Sequence, residues 1–430
     1  MDLFFNRKEI GNAWHINIKK EYQKLPKSIK RICILSILYV LGWAICVPFI
    51  PLFFESVLKE LKYVGLVTAL VPIVGILISL PLGIIADNIS KRLMIKITLL
   101  FYLPFGFIFL LIKNILDAII IQLYHGAIAT SLWIGLESYQ RGHAPKGKEI
   151  HVASLFSMAI NLALVIGPIV GGILFIYLKF NIFYLISFFS LIALLYSWRI
   201  PDHSKKRKVK DAIYRLFKKK RVLKKEFKRW WKKKEIKKIQ TYAFGLKFCL
   251  AFFQMLLPIF LKNYGASYLQ IGIIYSFFYF PLLFSPYFAL VARKKSMFRM
   301  FLILGSIIFS TLYFLNSTNL ILISTILLAI CFAGVTPFID GRMTCFMKKY
   351  NVGEMTGITL IIINMAIALG PLIGGFLADW ISINFVFLIG SLILFILFLM
   401  SLFKFYSKTL FDEDKLVPQV RDEFAKKIIN

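Results

Sequence analysis

The chain has 430 residues, of which 59% are hydrophobic and 17% are charged, and its formal net charge is +32. The charges are clustered, so apolar runs long enough to cross a bilayer remain between them, which argues against a soluble two-domain enzyme. The five cysteines form no CxxC pair and lie within or beside apolar runs. This argues against a disulfide framework or a metal site. The sequence therefore predicts an all-α integral membrane protein.

Twelve apolar runs follow one another along the chain, each about long enough to cross a bilayer as a helix, and we number them spans 1 to 12. A basic leader (1–31) lacks the apolar segment of a cleaved signal peptide, so span 1 is expected to act as the insertion signal. Six spans fill residues 32–198, a highly charged linker follows at 199–238, six more spans fill 239–403, and 404–430 form a tail. The predicted spans are, in order, 32–54, 64–86, 93–112, 115–136, 152–178, 182–198, 239–261, 268–292, 297–315, 320–339, 357–378 and 381–403.

One stretch of the sequence occurs in both halves. Residues 161–172 read NLALVIGPIVGG and residues 364–375 read NMAIALGPLIGG, an offset of 203 residues. In a membrane helix Pro removes a backbone donor and bends the helix, and Gly allows another helix to approach closely. Since six spans are an even number, the halves are expected to be parallel repeats. The expected bend and packing residues are Asn161, Gly167, Pro168, Gly171 and Gly172 in span 5, and Asn364, Gly370, Pro371, Gly374 and Gly375 in span 11.

Positive charge is distributed unevenly between the two sides of the predicted bundle. The leader, linker, tail and the loops on their side, together with the first turns of spans 3 and 9, carry 47 of the 53 Lys and Arg residues, and the opposite loops carry 5. By the positive-inside rule, both termini are expected in the cytoplasm, with the protein in the plasma membrane.

The loop after span 2 reads GIIADNISKR, and its Gly83, Asp87, Lys91 and Arg92 are spaced as in the signature loop of the major facilitator superfamily of secondary transporters. With the layout of six spans, linker and six spans, and the Gly-Pro stretch of span 5, the chain resembles this family over about residues 30–405. The resemblance implies two parallel six-helix bundles that alternate access to a central site. It also implies that the loop is a cytoplasmic latch; a charged loop obeying the positive-inside rule is the alternative.

The sequence departs from the drug-antiporter branches of that family at two places. Span 5 is similar to their characteristic stretch, but Ser154 and Ala163 stand where glycines are usual. In span 4 these branches often have an Arg three residues before a Gln-Gly pair, and here Gln122 occupies the Arg position. Both departures count against proton coupling of the usual antiporter kind.

Ionisable side chains inside the spans are few, and each is a candidate functional group. His125 in span 4 is either a proton carrier or a neutral, hydrogen-bonded histidine. Lys247 in span 7 either attracts an anionic group or extends its ammonium to the cytoplasmic surface. Glu137 and Asp340 are expected near the cytoplasmic ends of spans 4 and 10, as members of gate pairs between the bundles or as surface charges. Arg141 and Arg342 lie close to them in sequence.

No acidic residue lies in the middle of a predicted span, so a neutral, amphipathic or anionic substrate is expected in preference to a cation. In this family, spans 1, 4, 7 and 10 line the central cavity. The resemblance therefore adds Tyr39, Trp43, Gln122, Trp133, Gln254 and Thr336 to the candidates for contact with substrate or protons.

The linker over residues 199–238 contains 20 Lys or Arg residues and has a net charge of +16. Apolar residues recur within it at roughly helical spacing, which predicts an amphipathic helix on the anionic inner leaflet. A flexible solvated linker and, less favoured, an RNA-binding segment are the alternatives.

Together these features predict a secondary active transporter that moves a small organic compound by alternating access, with proton-linked export (efflux) as the preferred hypothesis. A uniporter or carrier of a lipid-like substrate is the alternative within transport, and a receptor or enzyme on the same bundle is the alternative outside it. The sequence has no GxxxxGK loop for ATP and no convergent catalytic or metal-binding cluster. We expect no cofactor, and we expect a monomer whose partners are the substrate, membrane lipids and protons.

Overall fold

The computed structural model describes residues 25–145, 149–201, 234–348 and 352–403, together with residues 406, 410 and 411. Only the backbone is described at residues 80, 84–88, 149–151, 154, 234, 286, 289–290, 344–348 and 352–358. Most of the leader, the linker from residue 202 to 233 and most of the tail lie outside the described residues. The expected amphipathic helix in the linker therefore stays a prediction.

Helices occupy all twelve predicted spans. Spans 5 and 6 are separated by a 3-10 turn at Lys179–Phe183. The helices are, in order, Lys27–Cys46 with Ile50–Leu58 (span 1), Leu61–Asn88, Lys91–Tyr102 with Phe105–Phe109 (span 3), Ile115–His143, Glu149–Leu178, Tyr184–Ser197, Lys234–Asn263, Tyr268–Leu283 with Ser285–Val291 (span 8), Lys295–Leu312, Thr318–Lys348, Val352–Trp380 and Ile383–Leu402.

Prolines lie at the places where spans 1, 3 and 8 are interrupted. The helix of span 1 passes through a 3-10 turn at Val47–Phe49, which contains Pro48. Span 3 restarts directly after Pro104, and span 8 breaks at Phe284, three residues after Pro281. Proline has no N–H for the helical ladder, and its ring crowds the preceding turn, so each break lies where the ladder is weakest.

By length and composition, ten helical stretches in the described part of the chain could cross a membrane. One of them, Leu155–Ser197, contains both span 5 and span 6, and Tyr268–Leu283 of span 8 is a shorter apolar helix. Two hydrogen bonds show that the chain reverses between spans 5 and 6. Arg31 and Cys46, at opposite ends of the first helix of span 1, reach the carbonyl oxygens of Arg199 and Ile182, at opposite ends of span 6. Span 6 therefore runs antiparallel to span 1. The protein is thus a multi-pass membrane protein.

The two halves pack in the same way. Span 1 packs on spans 5 and 6, and span 7 packs on spans 11 and 12. Cys46 lies 3.4 Å from the carbonyl oxygen of Ile182 in the first half, and Cys249, 203 positions later, lies 3.9 Å from that of Gly390 in the second. The predicted fold class, two parallel six-helix bundles, is confirmed.

Two helix pairs make the most extensive contacts between the bundles, span 2 with span 11 and span 5 with span 8, and the helix Ile50–Leu58 of span 1 also contacts span 7. We call the end of the molecule where spans 6 and 7 join the linker the linker end, and the opposite end the far end. The short connections at residues 59–60 and 264–267 lie at the far end.

Spans 4 and 10 extend beyond their predicted limits at the linker end. Span 4 continues to His143 and span 10 to Lys348, rather than ending at residues 136 and 339. Glu137 and Asp340 therefore lie inside these helices, roughly two turns from the linker end. Hydropathy marks where an apolar run stops, but backbone hydrogen bonds continue the helix through polar turns.

Candidate functional site

The second bundle contains an ion pair between two helices. The Lys247 Nζ of span 7 lies 3.4 Å from the Asp340 Oδ2 of span 10, and the side chains are 21% and 45% exposed. An unpaired charge inside a membrane bundle is costly, so each group compensates the other. Neither expectation for Lys247 included this partner, because the sequence does not show which helices are neighbours.

The matching carboxylate of the first bundle is paired differently. Glu137 Oε2 accepts a hydrogen bond from Arg141 Nη2 at 2.7 Å, one turn along the same helix, and the two side chains are 43% and 61% exposed. Screening by water makes such pairs weak. Arg342 donates to the carbonyl oxygen of Leu410. Since these ion pairs lie within single bundles, gate pairs between bundles stay a prediction.

Hydrogen-bonding side chains continue along spans 7, 8 and 10. Gln254 Nε2 donates to Tyr279 Oη at 3.1 Å, and the Tyr275 hydroxyl donates to the backbone carbonyl of Gln254. That carbonyl has no helical N–H partner, because residue 258 is a proline. Thr336 Oγ1, one turn before Asp340, is buried and has no hydrogen-bond partner among the described residues.

His125 is enclosed by aromatic rings in the first bundle. Its ring centroid lies 4.6 Å from that of Trp43 and 4.7 Å from that of Phe105, and the residue is 5% exposed. Its Nδ1 lies 3.3 Å from Gln122 Oε1, while Gln122 Nε2 donates to the carbonyl oxygen of Val67 at 3.2 Å. This enclosure favours the interpretation of a neutral, hydrogen-bonded histidine.

The other two first-bundle candidates differ in their surroundings. Tyr39 is buried, and its hydroxyl lies 2.8 Å from that of Tyr102 in span 3. This contact is internal to the first bundle. Trp133 is half-buried in span 4 and packs against the core.

The duplicated Gly-Pro stretch has two packing faces. A Cβ atom on Gly167 or Gly171 would collide with span 1, within the bundle, whereas one on Gly172 would meet the backbone of span 8 in the other bundle. In span 11, Gly370 and Gly374 pack on span 7, and Gly375 packs on the backbone of span 2. Each stretch therefore joins its own bundle to the opposite one, and its glycines permit both close approaches.

The prolines of the stretch also lie at this interface. A Cβ on Gly65 of span 2 would strike the carbonyl oxygen of Pro371, and a Cβ on Gly272 of span 8 would strike that of Pro168. These crossings bring the two bundles into backbone contact towards the far end.

The asparagines of the stretch reach across the same interface. Asn161 Nδ2 donates to the carbonyl oxygen of Leu282 in span 8 at 3.2 Å. That oxygen has no i+4 N–H partner, since residue 286 is a proline. Asn364 Nδ2 would lie 3.5 Å from a Cβ on Gly75 of span 2. The two positions are thus equivalent in place, but the hydrogen bond across the bundles is described only for Asn161.

The loop after span 2 is described in part. Among the described residues, a Cβ on Gly83 would meet nothing within 4 Å. Arg92 Nη2 donates to the carbonyl oxygen of Trp198 at 2.8 Å and thereby caps the end of span 6. Lys91 Nζ lies beside Gly142 of span 4. The side chain of Asp87 lies outside the described residues, so the latch stays a prediction.

Asp379, at the end of span 11, was not a candidate in the sequence. Its Oδ1 accepts the backbone N–H of Leu61 at 2.8 Å, and its Oδ2 accepts that of Lys62 at 2.7 Å. We call this contact the far-end clasp. A single Asp at the end of an apolar run was its only signal in the sequence, and nothing there indicated a partner 317 or 318 positions away.

The model of the Major Facilitator Superfamily matches residues 32–315 and, in a second match, residues 280–426. A curated relative, described as an uncharacterized MFS-type transporter of Methanocaldococcus jannaschii, is 22% identical over 388 residues, which are 84% of this chain and 93% of the relative.

Solved structures of transporters have the same fold. A bacterial homolog of the human lysosomal transporter Spinster superposes with a TM-score of 0.72 at 11% identity, covering 91% of this chain and 98% of that one. The nucleoside transporter NupG superposes with a TM-score of 0.66 at 18% identity, covering 88% of this chain and 100% of that one. The human organic anion transporter MFSD10 superposes with a TM-score of 0.63 at 14% identity, covering 87% of this chain and 100% of that one.

Proposed function

Because the chain belongs to the major facilitator superfamily and transports a small substrate by alternating access, we propose that it exports a small organic compound in exchange for protons. The observation that carries the proposal is the ion pair between Lys247 and Asp340. It joins two helices of the second bundle, and its side chains are incompletely buried.

The pair can link proton binding to substrate binding. A proton on Asp340 would neutralise the carboxylate and leave the Lys247 ammonium without its counter-charge, at a cost in a medium of low dielectric constant. A hydroxyl or amide of a substrate that donates to the same carboxylate would compete with the proton for its oxygen atoms. Two ligands that exclude each other at one site are coupled, as exchange transport requires.

The surroundings of the pair favour a substrate that is neutral or amphipathic. Gln254 and Thr336 lie on the two helices that carry the pair, within two turns of it, and Gln254 is bonded to Tyr279. These groups donate or accept hydrogen bonds without carrying charge.

We place the linker end in the cytoplasm of a plasma-membrane protein because positive charge is concentrated there. On this orientation, the likeness of span 5 to the drug-antiporter stretch supports export. We treat the chain as a monomeric transporter without enzymatic activity, in contact with anionic lipids through its linker.

Uniport is the second candidate function. Gln122 at the Arg position of span 4 and the enclosed His125 favour it, because neither supplies a free titratable group to the first bundle. In a uniporter the pair would serve only to hold spans 7 and 10 together.

Transport by purified protein in proteoliposomes separates the two functions. A panel of nucleosides, organic anions and neutral amphipathic compounds is supplied outside, with the lumen either more acidic than the outside or at the same pH. Exchange predicts accumulation only with the acidic lumen, and its loss in Asp340→Asn. Glu137→Gln is the matched control, because it removes the equivalent carboxylate of the other bundle and should keep the gradient response. Uptake that reaches equal concentrations under both conditions would support uniport and overturn the proposal.

A further inference from the structure

The two helix pairs that join the bundles are held differently at the far end. In the span 2–span 11 pair, the first turn of span 2 is capped by Asp379 of the other bundle. In the span 5–span 8 pair, the first turn of span 8 is capped by its own residues. Ser267 Oγ accepts the N–H of Gln270 at 3.2 Å, and Gln270 Oε1 accepts the N–H of Ser267 at 2.8 Å.

We propose that the far-end clasp is the gating contact that keeps the far end shut, and that its release opens the central site to the far side. The first N–H groups of a helix have no partners within that helix and carry partial positive charge. A carboxylate that accepts two of them forms charge-assisted hydrogen bonds. The donors belong to one bundle and the acceptor to the other, so the clasp must break when the bundles separate here.

The backbones beside the clasp are already in contact. A Cβ on Gly65 would strike the carbonyl oxygen of Pro371, and one on Gly375 would strike that of Leu61, itself a clasp residue. The backbone contact and the far-end clasp both involve the first turns of span 2. When spans 2 and 11 separate, both contacts are therefore lost together. Such coupling makes a contact behave as a two-state gate.

Among the described hydrogen bonds, the Asp379 carboxylate accepts from backbone N–H groups and not from a side chain. The Lys62 ammonium pairs with Glu60, while the Lys62 N–H donates to Asp379. Asp379 is an exposed residue, so water can replace the two N–H groups when the gate opens.

The span 5–span 8 pair has glycine packing without a clasp at its first turn. Gly272 lies against the carbonyl oxygen of Pro168 and against Gly172. At the same turn, the Tyr268 ring lies 4.2 Å from that of Phe175 in span 5.

The hydrogen bond from Asn161 to Leu282 lies further along span 8. The contacts of the span 5–span 8 pair at the far end are therefore van der Waals and ring contacts, which can slide without loss of a charged hydrogen bond. We therefore expect spans 5 and 8 to stay in contact while the bundles rock, and spans 2 and 11 to separate at the far end as the gate.

The test measures the distance between the bundles at the far end and needs no substrate. Spin labels are placed at the exposed Lys113→Cys and Asn316→Cys, which lie in equivalent loops of the two bundles. The parent carries Cys345→Ser; the other four cysteines are buried. Double electron–electron resonance is recorded in nanodiscs for the parent and for Asp379→Ala, Asp379→Asn and Ser267→Ala.

Asp379→Ala should increase the ratio of far-end-open to far-end-closed molecules about tenfold, as expected for loss of a charged helix cap. Asp379→Asn keeps one acceptor oxygen and should give an intermediate ratio. Ser267→Ala also removes a far-end cap, but one within a single bundle, and should leave the distance distribution unchanged.

An unchanged distribution in Asp379→Ala would overturn the proposal, as would an equal shift in Ser267→Ala. If Asp379→Ala does not give folded protein, the comparison of Asp379→Asn with Ser267→Ala decides in the same way. The inference rests on alternating access and not on proton coupling, so it can fail while the exchange proposal stands, and the reverse.

Discussion

The two bundles share a packing framework but differ in the chemistry of their interiors. Positions 137 and 340 are equivalent in the repeat, and both are carboxylates. In the first bundle Glu137 is bonded to Arg141 on its own helix, at the surface. In the second, Asp340 is paired with Lys247 of a neighbouring helix, and the pair is partly buried. The duplicated fold thus provides equivalent places, while the partner available at each place decides whether the charge is bonded along its own helix or joins two helices.

Substitutions at the packing glycines are expected to cause the largest losses of stability. A Cβ on Gly171 would collide with the backbone carbonyl of Ile45, so Gly171→Val should prevent stable folding or cost about 3 kcal/mol or more, since it overpacks a backbone contact. Gly374→Val should cost less in the other half, because its Cβ would meet the Phe252 side chain rather than backbone. Thermal unfolding in detergent measures both variants. Gly83→Val is the control, because no described atom lies within 4 Å of its Cβ position. An equal loss there would contradict this account of packing.

Breaking the ion pair of each bundle should give the next largest difference in stability between the two bundles. Lys247→Met leaves Asp340 without its ammonium partner. Because the Asp340 side chain is 45% exposed, water offsets part of the cost, and the variant should lose about 1–2 kcal/mol. Much of that loss should be recovered in Lys247→Met/Asp340→Asn. Arg141→Met should change stability by less than about 1 kcal/mol, because its pair with Glu137 is solvated. Chemical denaturation of the four proteins tests this. Equal effects in the two bundles would remove the distinction between them.

The tyrosine bonded to a proline-freed carbonyl should have a smaller effect. Tyr275→Phe removes the donor to the Gln254 carbonyl and should cost about 1 kcal/mol. Tyr124→Phe removes a hydroxyl that donates to the Phe101 carbonyl. That residue is only partly buried, so we expect a smaller loss from it in the same unfolding assay. A larger loss from Tyr124→Phe would argue against a special role for the proline-freed carbonyl.

The asparagines should give the smallest difference. Asn161→Ala removes a hydrogen bond between the bundles and should cost about 0.5–1.5 kcal/mol, whereas Asn364→Ala should cost less, as it has no such bond among the described contacts. Hydrogen exchange of spans 5 and 11 reports on each interface separately. Faster exchange in span 11 on Asn364→Ala than in span 5 on Asn161→Ala would reverse the assignment.

Much of the fold could be predicted from the sequence, because hydropathy and the 203-residue repeat depend on local composition and order. The limits of spans 4 and 10 could not, since a helix continues through polar turns after its apolar run ends. The Gly-Pro stretch indicated close packing, but its two faces follow from which helices are neighbours. For the same reason, neither the pairing of Lys247 with Asp340 nor that of Asp379 with span 2 was visible. Each depends on residues far apart in the chain.

Proton movement caused by substrate is the most direct test of the central claim that the Lys247–Asp340 pair exchanges a proton for the substrate. A transported compound is added outside proteoliposomes that contain a pH-sensitive dye, without an initial pH gradient. The account predicts that the lumen becomes more alkaline with the wild-type protein and stays unchanged with Asp340→Asn. A wild-type lumen whose pH stays constant or falls while the compound enters would contradict it.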